Sequence, residues 1–176
     1  MSLIRPLSQS RDRITADFFV GSYRFSGSVV AHRYSMIKIL NDKATDHLTL
    51  VDIYISPFNK PGEIVRTQKR GLLIKDKIDF ILLPPETSQD LKEKTQRANE
   101  VALPVYITLP SYEIGGKLQM HGSTNAKALL TGDTRKFLPI LDAMARNAFL
   151  PDIKYQSPVL LVNKTRIQFW SLGDGG

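Results

Sequence analysis

The residues in this sequence with most chemical potential come in pairs spaced about ninety positions apart. Asp52 and Asp142 each sit inside an otherwise apolar run, 48–55 and 137–144. A carboxylate among apolar side chains must find hydrogen-bond donors, and beside a second titratable group it can serve as a general acid or base. Neither run supplies a histidine or a second carboxylate next to its Asp, so the reading is structural: each accepts hydrogen bonds from nearby loop or helix N–H groups. His32 and His121 form a second pair, placed at the outward end of equivalent strands. Two such imidazoles could share a metal across an edge. A closed site needs four ligands, and nothing supplies the third and fourth at ligand spacing, so surface histidines are expected, with no metal and no other cofactor.

A third group is cationic. Arg66, Lys69 and Arg70 crowd the approach to a strand, with Lys75 and Lys77 in the turn that follows. Such a cluster could contact phosphates, with Tyr54 and Phe58 as stacking faces for bases. The plainer reading is a solvated loop flanked by Gly62 and Gly71. The equivalent stretch later in the chain holds Lys154, Lys164 and Arg166, so a polyanion site would belong to the first cluster.

Other chemistries are excluded or unsupported. The chain has no cysteine, which removes disulfides, thiolate metal sites and thiol nucleophiles. Neither a phosphate-binding glycine loop nor a nucleophile elbow occurs. The net charge of +7 is spread along the chain: residues 1–86 carry 13 basic and 9 acidic side chains, 87–101 carry 3 and 3, and 102–176 carry 8 and 5. Without a basic block, the excess permits nucleic-acid binding but does not require it. No run approaches a membrane span and residues 1–13 lack an apolar signal region, so the expectation is a cytoplasmic protein without a membrane partner.

The pairing of these residues reflects an internal repeat. At an offset of 89, Ser22, Tyr23, Gly27, His32, Lys38 and Leu40 fall on Ser111, Tyr112, Gly116, His121, Lys127 and Leu129. Leu48 and Asp52 meet Leu138 and Asp142 at 90, Leu72 and Leu73 meet Leu160 and Leu161 at 88, and Ile78 and Phe80 meet Ile167 and Phe169 at 89. Four collinear patches at nearly constant offset indicate a tandem duplication.

Each copy reads β-β-α-β-β-β. Ile14, Ala16, Phe18 and Val20 alternate with Thr15, Asp17 and Phe19, and Gly21-Ser22 suits a tight hairpin. The returning strand puts Tyr23, Phe25, Gly27 and Val29 on one face, as Tyr112, Ile114, Gly116 and Leu118 do later. Pro110 at the second turn cannot take a positive φ, so that loop is rearranged. Ser35 caps a short helix from Met36, and Ser123 or Thr124 caps its counterpart from Ala126, which stops at Gly132. After the apolar strand, 72–74 is expected to fold back on 78–83 across Lys75-Asp76-Lys77, and 159–162 on 166–172 across Asn163-Lys164-Thr165. The fold class expected is mainly β with short helices: a polar segment 1–12, a first small bent-sheet or barrel unit 13–85, a polar helical linker 86–101 capped by Thr87 and Asp90, and a second unit 102–172 in pseudo-twofold relation.

Gly27 with the run 48–55, and Gly116 with 137–144, give each unit a pattern that resembles the Sm-like and SH3-like small barrels. Leu40-Asn41 followed by Asp52 is similar to a group of uncharacterised bacterial small-barrel proteins. The first resemblance implies RNA binding and carries over no binding residue. Met36 keeps the spacing of the first Sm motif, but Ile37 replaces its Asn, Arg33 its Asp, and Gly122 and Asn125 stand at the Asp and Met positions of the second copy. The expected function is a non-enzymatic binding or assembly module acting through a protein partner or self-association. The alternative is an RNA- or DNA-binding protein using Arg66, Lys69, Arg70, Lys75 and Lys77.

Overall fold

The computed structural model describes residues 12–96, 100–121 and 125–173. Most of the polar segment 1–12, the end of the linker at 97–99, and Ser123 and Thr124 lie outside them. The protein is mainly β, built on one antiparallel sheet. The first half runs β1 (Arg13–Val20), β2 (Tyr23–Val30), α1 (Met36–Asn41), β3 (His47–Pro57), β4 (Arg66–Ile74), a 3-10 turn (Lys75–Lys77) and β5 (Phe80–Leu82). Helix α2 (Pro85–Thr95) follows. The second half takes the same order: β6 (Glu100–Thr108), β7 (Tyr112–His121), α3 (Ala126–Gly132), β8 (Phe137–Asn147), β9 (Lys154–Asn163), a 3-10 turn (Lys164–Arg166) and β10 (Phe169–Leu172). Among the described residues no helix is long and apolar enough to cross a membrane.

The strand order is β10-β6-β7-β8-β9-β5-β1-β2-β3-β4. Within each half the five strands run in one arrangement, and the halves join where β5 pairs with β9, Phe80 opposite Val162 and Leu82 opposite Leu160. The sheet is not closed: β4 and β10 are its ends. Two hydrophobic clusters fill it, and each draws on both halves. Phe137, Leu141, Val159 and Leu161 pack into the first, around Phe18 and Leu50. Phe19 and Phe80 pack into the second, around Ile107 and Tyr112.

Local chemistry explains the elements. Gly21 takes φ +56° in the two-residue turn between Val20 and Tyr23, a conformation that costs glycine little. At the matching turn three residues, 109–111, intervene, and Leu109 N donates to Tyr112 O at 2.8 Å, which accommodates Pro110. Ser35 caps α1, its hydroxyl accepting from Lys38 N. The cap of α3 is Asn125, whose Oδ1 accepts from Ala128 N at 2.8 Å, and Gly132 is the last helical residue without a positive φ.

Three expectations are corrected. The last strand of each half does not fold back on the strand before it. Residues 75–77 form a 3-10 turn that carries the chain away from β4, and β5 pairs with β1 instead, Phe19 opposite Phe80; β10 pairs likewise with β6. The turn is pinned by Lys75, whose N–H donates to Asp46 O while its buried ammonium reaches the carbonyls of Ile39, Asp42 and Thr45 at 2.8–3.0 Å. Helix α2 begins at Pro85 with Pro84 as its cap, so Thr87 and Asp90 are not its capping box. Nor is it solvent-facing throughout: Ser88 is fully buried and Leu91 packs on the first cluster. The strand register also aligns Leu72 and Leu73 with Leu161 and Val162, because His47 pairs with Ile74 as Phe137 pairs with Asn163. The offset there is 89, one more than the residue identities suggest.

Candidate functional site

Asp52 and Asp142 explain each other through backbone shape. Both have positive φ, +52° and +46°, which Asp tolerates better than most residues. Both lie at a bulge: the β2–β3 register shifts between Ser26 and Ser28, and the β7–β8 register between Gly115 and Lys117. The glycine opposite each bulge has no room for a side chain. A Cβ on Gly27 would stand 3.2 Å from Val51 O, and one on Gly116 would stand 2.6 Å from Ile140 Cγ2 and 2.8 Å from Leu141 O. Neither Asp is buried, and neither bonds loop or helix N–H groups as expected. Asp52 meets Arg13 at 3.2 Å, and Asp142 meets Lys92 of α2 at 2.6 Å and Lys117 at 3.6 Å. The Lys92 hydrogen bond, with Lys117 nearby, holds the Asp142 carboxyl below the usual range.

The histidines do not converge either. His32 is exposed in the turn after β2 at φ +42°, and His121 ends β7. Among the described residues no group of three His, Asp or Glu side chains is placed to hold a metal.

The cationic cluster is divided. Arg66, Lys69 and Arg70 are exposed along β4, and Lys77 is exposed in the turn. Lys75 is not part of that surface: it is 1 % exposed, all its donors go to α1 and the loop after it, and burial pushes its ammonium below the ordinary lysine value. Lys164 is partly buried at the matching place in the second half and donates to Asp133 O just after α3. Tyr54 is exposed, and Phe58 is partly buried in an edge contact with Phe149 of the second half, ring centroids 6.2 Å apart. A cleft of about 710 Å3 among Ile37, Leu91, Leu118, Met120 and Leu129 is lined by none of these residues.

What the fold does concentrate is the junction between halves. Phe19 stacks on Phe80 at 4.2 Å, and Tyr112 and Tyr155 meet Phe19 edge-on at 5.5 and 4.9 Å. Arg24 lies 5.5 Å over Tyr155 while donating to Asp17 at 2.7 Å. Buried Asn163 donates to Lys75 O and Ile78 O, its own N–H donates to Asp79 O, and Arg166 donates to Asp79 at 2.8 Å. Asn41 imitates a strand residue, exchanging two hydrogen bonds with the backbone of Phe137. Lys136 pairs with Asp76. The boundary between the halves is thus buried and polar-stitched around these residues, and the cleft of about 710 Å3 opens along it between Ser35 and Ile37 of the first half, Leu91 of α2, and Leu118 and Leu129 of the second.

The two ends of the sheet are this junction taken apart. β4 corresponds to β9 and β10 to β5, but among the described residues neither has an outer neighbour. Leu161 and Asn163 are fully buried, whereas Leu72 and Ile74 at the same places in β4 are 66 % and 43 % exposed. Phe80 is fully buried, whereas Phe169 is 56 % exposed. Leu72, Ile74 and Phe169 are the residues that sequence reasoning missed, because it spent 72–74 on a hairpin within the unit. Their signal was an apolar run with no partner once that hairpin is removed.

The chain matches no protein-family model, no curated protein and no solved structure.

Proposed function

We propose that this protein is an assembly module that joins to copies of itself head to tail, β10 of one molecule pairing with β4 of the next. The observation that carries this is the exposure of Leu72, Ile74 and Phe169 at positions whose counterparts are buried where β5 meets β9. Applying that internal register to the open edges sets Phe169 opposite Leu73, Trp170 opposite Leu72 and Ser171 opposite Gly71. Ile74 N would then donate to Gln168 O, as Asn163 N does to Asp79 O. Open strand edges with apolar side chains are templates for pairing with another chain, and proteins not built to pair blunt them. Such a contact joins unlike surfaces, so it repeats until a ring closes or a filament grows. A tandem of two small barrels of the Sm-like kind fits this reading, each molecule supplying two segments.

The intermolecular joint lacks the ion pairs and the buried amide of the internal one. Ile74 replaces Asn163, Lys77 and Gln168 replace the Arg166–Asp79 pair, and Asp46 and Thr165 replace Lys136–Asp76. No like charges oppose one another in this set, but no ion pair forms either. Association therefore depends on burying three large side chains, each worth about 1.5–3 kcal/mol, and it is reversible with concentration.

Sedimentation equilibrium across the micromolar range tests the proposal. The wild-type chain should associate, and Leu72→Lys should be monomeric with an unchanged melting temperature. A wild-type chain that stays monomeric throughout, or a Leu72→Lys variant that associates as the wild type does, contradicts it.

A further inference from the structure

The partner strand β10 has four residues, and by the internal register they face β4 from Arg70 to Leu73. Among the described residues the rest of β4, from Arg66 to Lys69, is an open edge in the monomer and in any such assembly, and Arg70 is open in the monomer. In the second half the same stretch is not open. Its counterpart, the stretch of β9 up to Val159, is covered by α2: Ser88 Oγ accepts from Val159 N at 2.8 Å and donates to Val159 O at 3.1 Å, and it also meets Ser157 Oγ at 2.8 Å. The protein therefore satisfies the outward amide and carbonyl of Val159 with its own chain. At the equivalent place in β4, Arg70, the described residues supply nothing to take that role.

The side chains differ in step with this. Where β9 has Tyr155, Pro158 and Val159, β4 has Arg66, Lys69 and Arg70. Val159 is buried under α2, while all three cations are exposed. The described residues give none of the three an ion pair. A strand edge with unfilled donors and acceptors and three unpaired cations has a definite complement.

We infer that Arg66–Arg70 is the docking site of an extended acidic peptide, which adds to β4 as a further strand. Its backbone bonds the outward N–H and C=O groups of Gln68 and Arg70, and its alternate Asp or Glu side chains meet Arg66 and Arg70 on one face of the strand, with Lys69 on the other. A peptide offers donors and acceptors alternately along its backbone, as an open strand edge requires. A nucleic-acid backbone offers mainly phosphate acceptors, without donors and acceptors alternating at strand spacing. For that reason the edge favours peptide over nucleic acid. Apart from Arg70, which Leu172 would face, the site lies outside the reach of β10, and binding to the monomer does not depend on the proposed self-association.

Fluorescence anisotropy with a labelled seven-residue peptide, alternating Glu with Val and Thr, tests the inference on the wild-type chain. Binding is expected at low salt, at least tenfold tighter than for the same peptide with Lys in place of Glu. Methylating the backbone nitrogens on the edge that faces β4 should weaken it at least tenfold, because the charges stay and only the strand pairing goes. This comparison leaves the protein unaltered, so it holds even where Arg66→Ala, Lys69→Ala and Arg70→Ala together impair folding. Absence of binding, binding indifferent to the methyl groups, or tighter binding of a single-stranded oligonucleotide of similar charge would each overturn the assignment.

Discussion

Leu72 and Leu161 hold the same place in two equivalent strands, yet Leu161 is fully buried beside β5 and Leu72 is 66 % exposed at the edge of the sheet. The same molecule thus displays one joint made and the same joint unmade. The proposed head-to-tail joint follows from that difference. The internal junction supplies the register, and the open edges supply the unpaired surfaces to which it applies.

Blocking the two edges separately should give variants that complement one another. Leu72→Lys retains a working β10, and Phe169→Lys retains a working β4. Each alone should sediment as a monomer. An equimolar mixture should form a dimer and stop there, since the dimer exposes only the two blocked edges. Higher species in the mixture, or none beyond monomer, would show that the two edges are not each other's partners.

The internal joint should weaken when its polar stitching is removed. Asn163→Ile introduces the residue that β4 has at this position and leaves Lys75 O and Ile78 O without their donor. Urea unfolding should show a loss of about 1–3 kcal/mol. A change below about 0.5 kcal/mol would mean that these hydrogen bonds add nothing over the apolar contact.

The bulge in each half sets a glycine opposite an aspartate of positive φ. Gly116→Ala should be destabilising by about 1–3 kcal/mol, because its Cβ meets the backbone oxygen of Leu141 as well as Ile140. Gly27→Ala has more space, with Val51 O at 3.2 Å, and should cost less. Thermal unfolding of the two variants gives the order directly, and the reverse order would contradict the assignment.

Asp142 ties α2 to the sheet through Lys92, which holds its carboxyl below the unfolded value of 3.8. A lowered carboxylate contributes stability that is full above the unfolded value and lost as pH falls through the folded one. Wild type should therefore exceed Asp142→Asn in stability near neutrality, with the gap closing between about pH 5 and about pH 2. Asparagine keeps the tolerance for positive φ, so the comparison isolates the charge. A gap that does not change with pH would mean that the ion pair contributes nothing.

Much of this fold was legible in the sequence, and what was not has a physical pattern. The alternation of Tyr112, Ile114 and Leu118 and the cap at Ser35 are local signals, and local geometry obeyed them. The odd placement of Asp52 and Asp142 was visible too, but its cause was not: positive φ at a bulge opposite a glycine involves two strands at once. The order of pairing was misread for the same reason. Leu72-Leu73-Ile74, a short turn and a second apolar run look like a hairpin, and only the burial of Lys75 among carbonyls of α1 and its loop redirects the chain. That burial also removed Lys75 from a cationic surface that the residue types alone seemed to include. The open edges could not be read at all until it was known which strands had partners.

Because the chain has no cysteine, the proposed joint can be tested by a single cross-link. Gly71→Cys and Ser171→Cys place thiols at residues that the internal register sets opposite one another, and opposed residues in antiparallel strands lie within disulfide range. Oxidising an equimolar mixture of the two single variants should give a covalent dimer containing one of each, with little from either variant alone. No mixed dimer, or equal cross-linking of each variant with itself, would contradict head-to-tail pairing of β10 with β4.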